Sequence, residues 1–180
     1  MNQLKVMFSN EQITHRVNEL ALKLRNFYQD LVDSSNSPLV IVGVLKGALV
    51  FTADLIRALK LPVQVEFVRI ASYGDGTESG TLNVPDLSLP ASIYGKHILI
   101  VEDIVDTGKT AGFLKRYIQD QFKPSSLKLV ALLSKPSRRL IEAEPDFYGF
   151  QIEDKFVIGY GLDWAERYRE LDYLGVVEDY

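Results

Sequence analysis

Cysteine is absent from this 180-residue chain, which excludes disulfides, thiolate metal sites and cysteine nucleophiles and fits a reducing compartment. Histidine is nearly absent. His15 falls in a helical pattern and His97 begins a strand, so neither is assigned to catalysis. Long apolar runs are missing too: the longest, Leu39 to Leu45, is far too short to span a bilayer. Met1-Asn2-Gln3-Leu4-Lys5 opens without the apolar stretch of a signal peptide, and a cytoplasmic protein is expected. The basic residues form no block and the net charge is −4, which disfavours a sequence-independent grip on nucleic acid. Repeats and low-complexity tracts are absent as well.

What remains is the balance of a cored globular protein, with 47% apolar and 24% charged residues. The length suits one domain, residues 1–180. Ser9 with Gln12 forms a capping-box pattern, and Ile13, Val17, Leu20, Leu24, Phe27 and Leu31 follow at helical steps. The helix is expected to run to about Leu31 and to end at Ser34-Ser35-Asn36-Ser37-Pro38. Leu39 to Val44 is apolar on both faces, as a strand inside a parallel sheet must be. Ala48 to Leu59 reads as a helix with Phe51, Leu55 and Leu59 inward, and Val63 to Ile70 as a strand in which Val63, Val65 and Phe67 alternate with Gln64 and Glu66. Further strands are expected at His97 to Val101, Leu127 to Leu133 and Phe156 to Tyr160, with a short one near Phe147 to Ile152, and a helix at Ala111 to Phe122. Ala71 to Gly95 shows no period and reads as a long loop, disordered at rest from Asp75 to Ala91. Alternating strands and helices give an α/β fold with a mainly parallel twisted sheet flanked by helices, whose ligands bind beyond the carboxyl ends of the strands.

The informative residues do follow the strands. Val101-Glu102-Asp103-Ile104-Val105-Asp106-Thr107-Gly108-Lys109-Thr110 places three carboxylates within five residues and then starts a helix. Unpaired N–H groups at the helix start, a glycine and two threonine hydroxyls make a cradle for a phosphate. A Walker A loop is disfavoured, because Asp103 stands where that loop needs glycine. The carboxylates can instead accept hydrogen bonds from vicinal sugar hydroxyls, with Asp106 free to act as a base. An Asp-Thr-Gly alone would be an ordinary helix cap; the full ten residues after an apolar strand are not. Lys46 and Gly47, again between a strand and a helix, suit a second anion.

This acidic-glycine segment resembles the phosphoribosyl-pyrophosphate motif of type I phosphoribosyltransferases, and the remaining motifs resemble the hypoxanthine-guanine branch of that family from about Gln3 to Val177. The resemblance implies that Asp106, Thr107, Gly108, Lys109 and Thr110 hold a 5′-phosphate and that Glu102 and Asp103 contact the ribose 2′- and 3′-hydroxyls, or metal. It implies that Asp106 is the catalytic base at purine N7. Lys46 and Gly47 would form a pyrophosphate loop with a cis Leu45-Lys46 peptide. Ser72 and Tyr73 would open a lid, Ser72 to Ala91, that excludes water from a cationic sugar. Lys135 would bond the purine 6-oxo group, Phe156 would stack on the base, and Val157 would meet its Watson–Crick edge. Asp163 would bind Mg²⁺ and Arg169 would touch pyrophosphate. A small hood over the sheet's carboxyl edge and a homo-oligomer, dimer or tetramer, are also implied. The expected reaction joins the ribose-5-phosphate of 5-phosphoribosyl-1-pyrophosphate to hypoxanthine or guanine in purine salvage, giving IMP or GMP. The alternatives are a xanthine-specific enzyme, or a nucleic-acid-binding regulator of the same fold that senses phosphoribosyl pyrophosphate. Glu153, Trp164 and Asp172 stand where proline, tyrosine and proline are frequent in the family.

Overall fold

The computed structural model describes residues 4–71 and 83–177. Strands β1 (Leu4–Phe8), β2 (Leu39–Leu45), β3 (Val63–Ala71), β4 (Asn83–Asp86), β5 (His97–Val105), β6 (Ser126–Ser134), β7 (Phe147–Gln151), β8 (Val157–Ile158) and β9 (Leu174–Val177) combine with helices α1 (Asn10–Ser35), α2 (Leu49–Leu59) and α3 (Lys109–Phe122). The main sheet has the order β4-β3-β2-β5-β6-β7. Its last five strands are parallel, and β4 pairs antiparallel with β3 at one edge. The order reverses between β2 and β5, where the crevice of an open α/β sheet lies.

Alternation along the strands feeds two cores. Leu39, Ile41, Leu99, Val101, Val130 and Leu132 pack with α1 and α2. Val40, Val42, Ile98, Ile100, Leu129 and Ala131 pack with α3 on the other face. The expected capping box is present: Ser9 Oγ accepts from Gln12 N, and the Gln12 side chain accepts from Ser9 N. From Leu24 onward the inward stripe of α1 moves to Tyr28 and Val32, leaving Phe27 39% exposed. Leu31 still packs partly buried against the same core, so of the expected stripe only Phe27 is exposed. The Tyr28 hydroxyl donates to Ile98 O across the core, at 3.3 Å. Arg25 caps the end of α2 through Leu59 O and Ala58 O, both at 2.8 Å.

Three expectations are corrected. Phe67 is 40% exposed, while Val68 and Ile70 carry the buried face at the end of β3. Residues 83–95 are not a structureless loop: β4 pairs with β3, Ala91–Ile93 forms a 3-10 turn, and Leu89 and Ile93 are buried. Pro85 can sit in β4 because an edge strand leaves donors unused. The fifth parallel strand is Phe147–Gln151, next to β6, and not Phe156 to Tyr160. There only Val157 and Ile158 are strand, and they belong to a separate three-stranded sheet, β1-β9-β8. Gly159, Tyr160 and Gly161 all take positive φ, which curls the chain away from any continued strand. That small sheet, with the loop between β8 and β9, is the hood. Among the described residues no helix is long and apolar enough to cross a membrane.

Candidate active site

Beyond the carboxyl ends of β2, β5 and β6, and under the hood, lies an open cleft of about 630 Å³. Of the residues singled out from the sequence, Lys46, Gly47, Glu102, Asp103, Asp106, Thr107, Gly108, Thr110, Lys135, Phe156, Val157, Asp163 and Arg169 line it. Lys109 does not; it is the first residue of α3 and is exposed. Ser72 and Tyr73, and with them the first half of the expected lid, lie outside the described residues.

β5 runs to Val105, so Glu102 and Asp103 are strand residues rather than loop residues. Strand alternation sends them to opposite faces. Glu102 is 4% exposed, and its Oε1 has no hydrogen-bond partner. Burial, and then the neighbouring Asp103 charge, push its carboxyl up to about 8. Burial also lifts Asp103, to about 6, against the opposing pull of a 2.9 Å bond from Ile104 N. The Asp103 carboxylate lies against the Cα of Gly47, in the space a side chain there would need, which is why glycine is required at that position. The Leu45-Lys46 peptide is cis.

Past β5 the chain turns through Asp106 and Thr107 into α3. Gly108 takes φ +82° as the residue before the helix, a conformation suited to glycine. Thr107, Gly108, Thr110 and Ala111, at the start of α3, line the cleft. The turn is fixed from behind: Leu140 N donates to Thr107 O at 3.0 Å, and Arg139 donates to Asp106 O at 2.5 Å and to Ser134 Oγ at 3.1 Å.

Lys135, 7% exposed, leaves β6 with its N–H bonded to Val105 O and its Nζ 3.6 Å from Asp154. Pro136 then opens a 3-10 turn that carries Arg138 back over the cleft. Arg138 Nε stands 2.9 Å from Asp106 Oδ1, and its Nη1 3.2 Å from Asp154 Oδ2. Both carboxylates hold its guanidinium above the ordinary arginine range, the Asp154 bond most of all. Sequence reasoning missed Arg138; the signal available was Lys-Pro-Ser-Arg-Arg directly after an apolar strand.

In the hood, Phe156 meets Trp164 edge-on at 6.5 Å, and Trp164 stacks with Tyr168 at 6.3 Å. Arg169 donates to Gly161 O at 2.8 Å and pairs with Asp163 Oδ1 at 2.8 Å. Glu166, also missed, accepts from Lys46 at 2.8 Å and from Arg169 at 3.3 Å. Hood and sheet are in contact: a side chain at Gly161 would strike the carbonyl of Gly47. Tyr160 donates to Asp54 of α2 at 2.5 Å, and burial raises its phenol well above the ordinary range.

Two βα turns, four cationic side chains, an acidic strand and the ring of Phe156 thus line one cleft. Such a cleft can hold two phosphate groups with a sugar between them and a flat base at one end. The model of the phosphoribosyl transferase domain family matches residues 9–165. The chain belongs to the phosphoribosyltransferase family. Among members of that family it is 45% identical over 175 residues to the hypoxanthine-guanine phosphoribosyltransferase of Bacillus subtilis, covering 97% of this chain and 93% of the relative. The crystal structure of a Bacillus anthracis hypoxanthine-guanine phosphoribosyltransferase superposes with a TM-score of 0.87 at 38% identity, over 98% of this chain and 99% of the other. The Trypanosoma cruzi hypoxanthine phosphoribosyltransferase in complex with its product IMP matches with a TM-score of 0.87 at 40% identity, over 97% and 94% of the two chains. This phosphoribosyltransferase therefore shares both its sheet and its hood with enzymes of the hypoxanthine-guanine branch.

Proposed function

We propose that the protein transfers the 5-phosphoribosyl group of 5-phosphoribosyl-1-pyrophosphate to hypoxanthine and guanine, giving IMP or GMP and pyrophosphate in purine salvage. The observation that carries this reading is Lys135: a buried ammonium at the end of β6, on the same cleft as Asp106 and Phe156. A buried lysine donor beside Phe156 suits an exocyclic oxygen and has nothing to offer an exocyclic amine.

In this reading the N–H groups and hydroxyls from Asp106 to Thr110 bind the 5′-phosphate, and Glu102 and Asp103 accept from the ribose hydroxyls. Lys46, the Gly47 backbone and Arg169 hold the pyrophosphate. Phe156 stacks on the purine, with Val157 at its Watson–Crick edge. The C1′–O bond breaks as the C1′–N9 bond forms, through a sugar with cationic character. Asp106 accepts the purine proton at N7, and Lys135 offsets charge on the 6-oxo group. Arg138 Nε, 2.9 Å from Asp106 Oδ1 in the free enzyme, holds that carboxylate in position.

The donor set fits Mg²⁺, since Glu102, Asp103 and Asp163 offer only oxygens. Among the described residues no three acidic or histidine side chains converge into a cage, so substrate oxygens and water would complete the shell around Asp163. When bound, the ion neutralises charge on the leaving pyrophosphate. A cytoplasmic homo-oligomer, dimer or tetramer, belongs to the same proposal, and sedimentation equilibrium tests its assembly.

The deciding experiment supplies phosphoribosyl pyrophosphate, Mg²⁺ and a panel of hypoxanthine, guanine, xanthine, adenine and uracil. IMP and GMP are expected, each matched by one pyrophosphate. Xanthosine monophosphate as the dominant product, or no nucleotide from any base, overturns the proposal.

A further inference from the structure

We propose that Glu166 is a built-in occupant of the pyrophosphate subsite, holding Lys46 and Arg169 together across the cleft in the free enzyme and yielding them to the incoming pyrophosphate. The inference rests on the reading that those two cations bind pyrophosphate. One carboxylate oxygen, Glu166 Oε2, takes both of them, Lys46 at 2.8 Å and Arg169 at 3.3 Å. The cations come from different parts of the molecule: Lys46 follows β2, and Arg169 belongs to the hood. Glu166 therefore bridges the two walls that a pyrophosphate would bridge.

The backbone aims it there. Ala165 and Glu166 take φ of 52° and 61°, a region that non-glycine residues enter at a cost. Glu166 N donates to Asp163 Oδ2 at 2.9 Å, and Trp164 and Arg167 close the turn with a pair of backbone bonds. The side chain itself is 66% exposed, so it can swing into solvent without leaving a cavity. A carboxylate brings one charge and offers Arg169 a single long bond. A pyrophosphate brings more charge and more oxygens, and it can engage Lys46 and an Arg169 already anchored by Gly161 O and Asp163 Oδ1 at once. Exchange therefore favours the substrate while Glu166 keeps the cations in place before it arrives. On the return path the same carboxylate competes with the product pyrophosphate and hastens its departure.

Titration of magnesium pyrophosphate into wild type, Glu166→Gln, Glu166→Ala, Lys46→Ala and Arg169→Ala tests this, with IMP as a ligand that does not use the subsite. The two glutamate variants are expected to bind pyrophosphate about two- to fivefold more tightly, the worth of losing one partly exposed ion-pair competitor, and to release it more slowly. Their affinity for IMP should stay at the wild-type value. Pyrophosphate affinity that is unchanged or weaker in both glutamate variants, while the Lys46 and Arg169 variants bind it poorly, overturns the role of Glu166 and leaves the subsite standing. Wild-type affinity in the Lys46 and Arg169 variants overturns the subsite and Glu166 together.

Discussion

At the scale of single residues, the site is a set of charges kept apart by where they leave the sheet. Asp106 directly follows β5, with its Oδ1 2.9 Å from Arg138 Nε, and in the proposed reading it accepts the purine proton. Replacing it with asparagine keeps the size and most of the turn but removes the proton acceptor. Turnover of Asp106→Asn with hypoxanthine should fall by about 10²-fold or more, the usual worth of general acid–base assistance. Steady-state rates on a variant with wild-type circular dichroism check this, and undiminished turnover removes Asp106 from the reaction. Lys135 carries the second prediction. Lys135→Ala should lose catalytic efficiency chiefly with 6-oxopurines, because a site deprived of its hydrogen-bond partner no longer tells the right base from its analogues. Equal losses for hypoxanthine and adenine would leave the lysine a structural role only. Both residues were legible in the sequence because each directly follows a buried apolar strand. Arg138 and Glu166 were not. Their partners, Asp106 and Lys46, are distant in the chain, and no local pattern marks a surface arginine or glutamate that a turn will fold back.

At the scale of elements, the apolar pattern served best where a segment buries one face, or both, from end to end. β2, α2 and α3 read correctly for that reason, and so did the start of α1. The hood read poorly. Its strands are two to five residues long: β1 exposes Leu4 and Val6, so no period announces it, and β8 was legible only as part of an expected longer strand, Phe156 to Tyr160, of the main sheet. β4 was hidden in the same way, by four residues that include a proline. The capping box at Ser9 is the opposite case, a local device with its own sequence signature, and it is present as expected. Ser9→Ala should cost about 1 kcal/mol of stability, since the first N–H groups of α1 lose their acceptor. Urea unfolding reads that loss directly. Activity per folded molecule should not change, because α1 packs behind the sheet, away from the cleft. A variant as stable as wild type would mean that α1 is held by packing alone.

At the scale of the whole molecule, the fold shelters acidic groups that the free protein cannot satisfy by itself. Glu102 is buried with one oxygen unpartnered, and its carboxyl is pushed up to about 8, while Asp103 is lifted to about 6. In the unfolded chain both return to the ordinary carboxylate range, near 4. Between that range and their raised values the folded protein holds more protons than the unfolded chain. Stability therefore falls as pH rises across that window, and the loss is complete only above the folded value of Glu102. Unfolding midpoints of the free protein, measured with a chelator present, should decline steadily from about pH 5 to about pH 8. Glu102→Gln removes the larger contributor without removing volume, so its decline should be shallower and confined to the lower part of the window, where Asp103 still titrates. The cleft thus draws on the stability of the fold: the carboxylates proposed to receive a sugar are the groups that the free protein holds least comfortably as anions. A wild-type midpoint that stays level or rises over this range would show that Glu102 is ionised in the free protein, and would remove that cost from the account of the site.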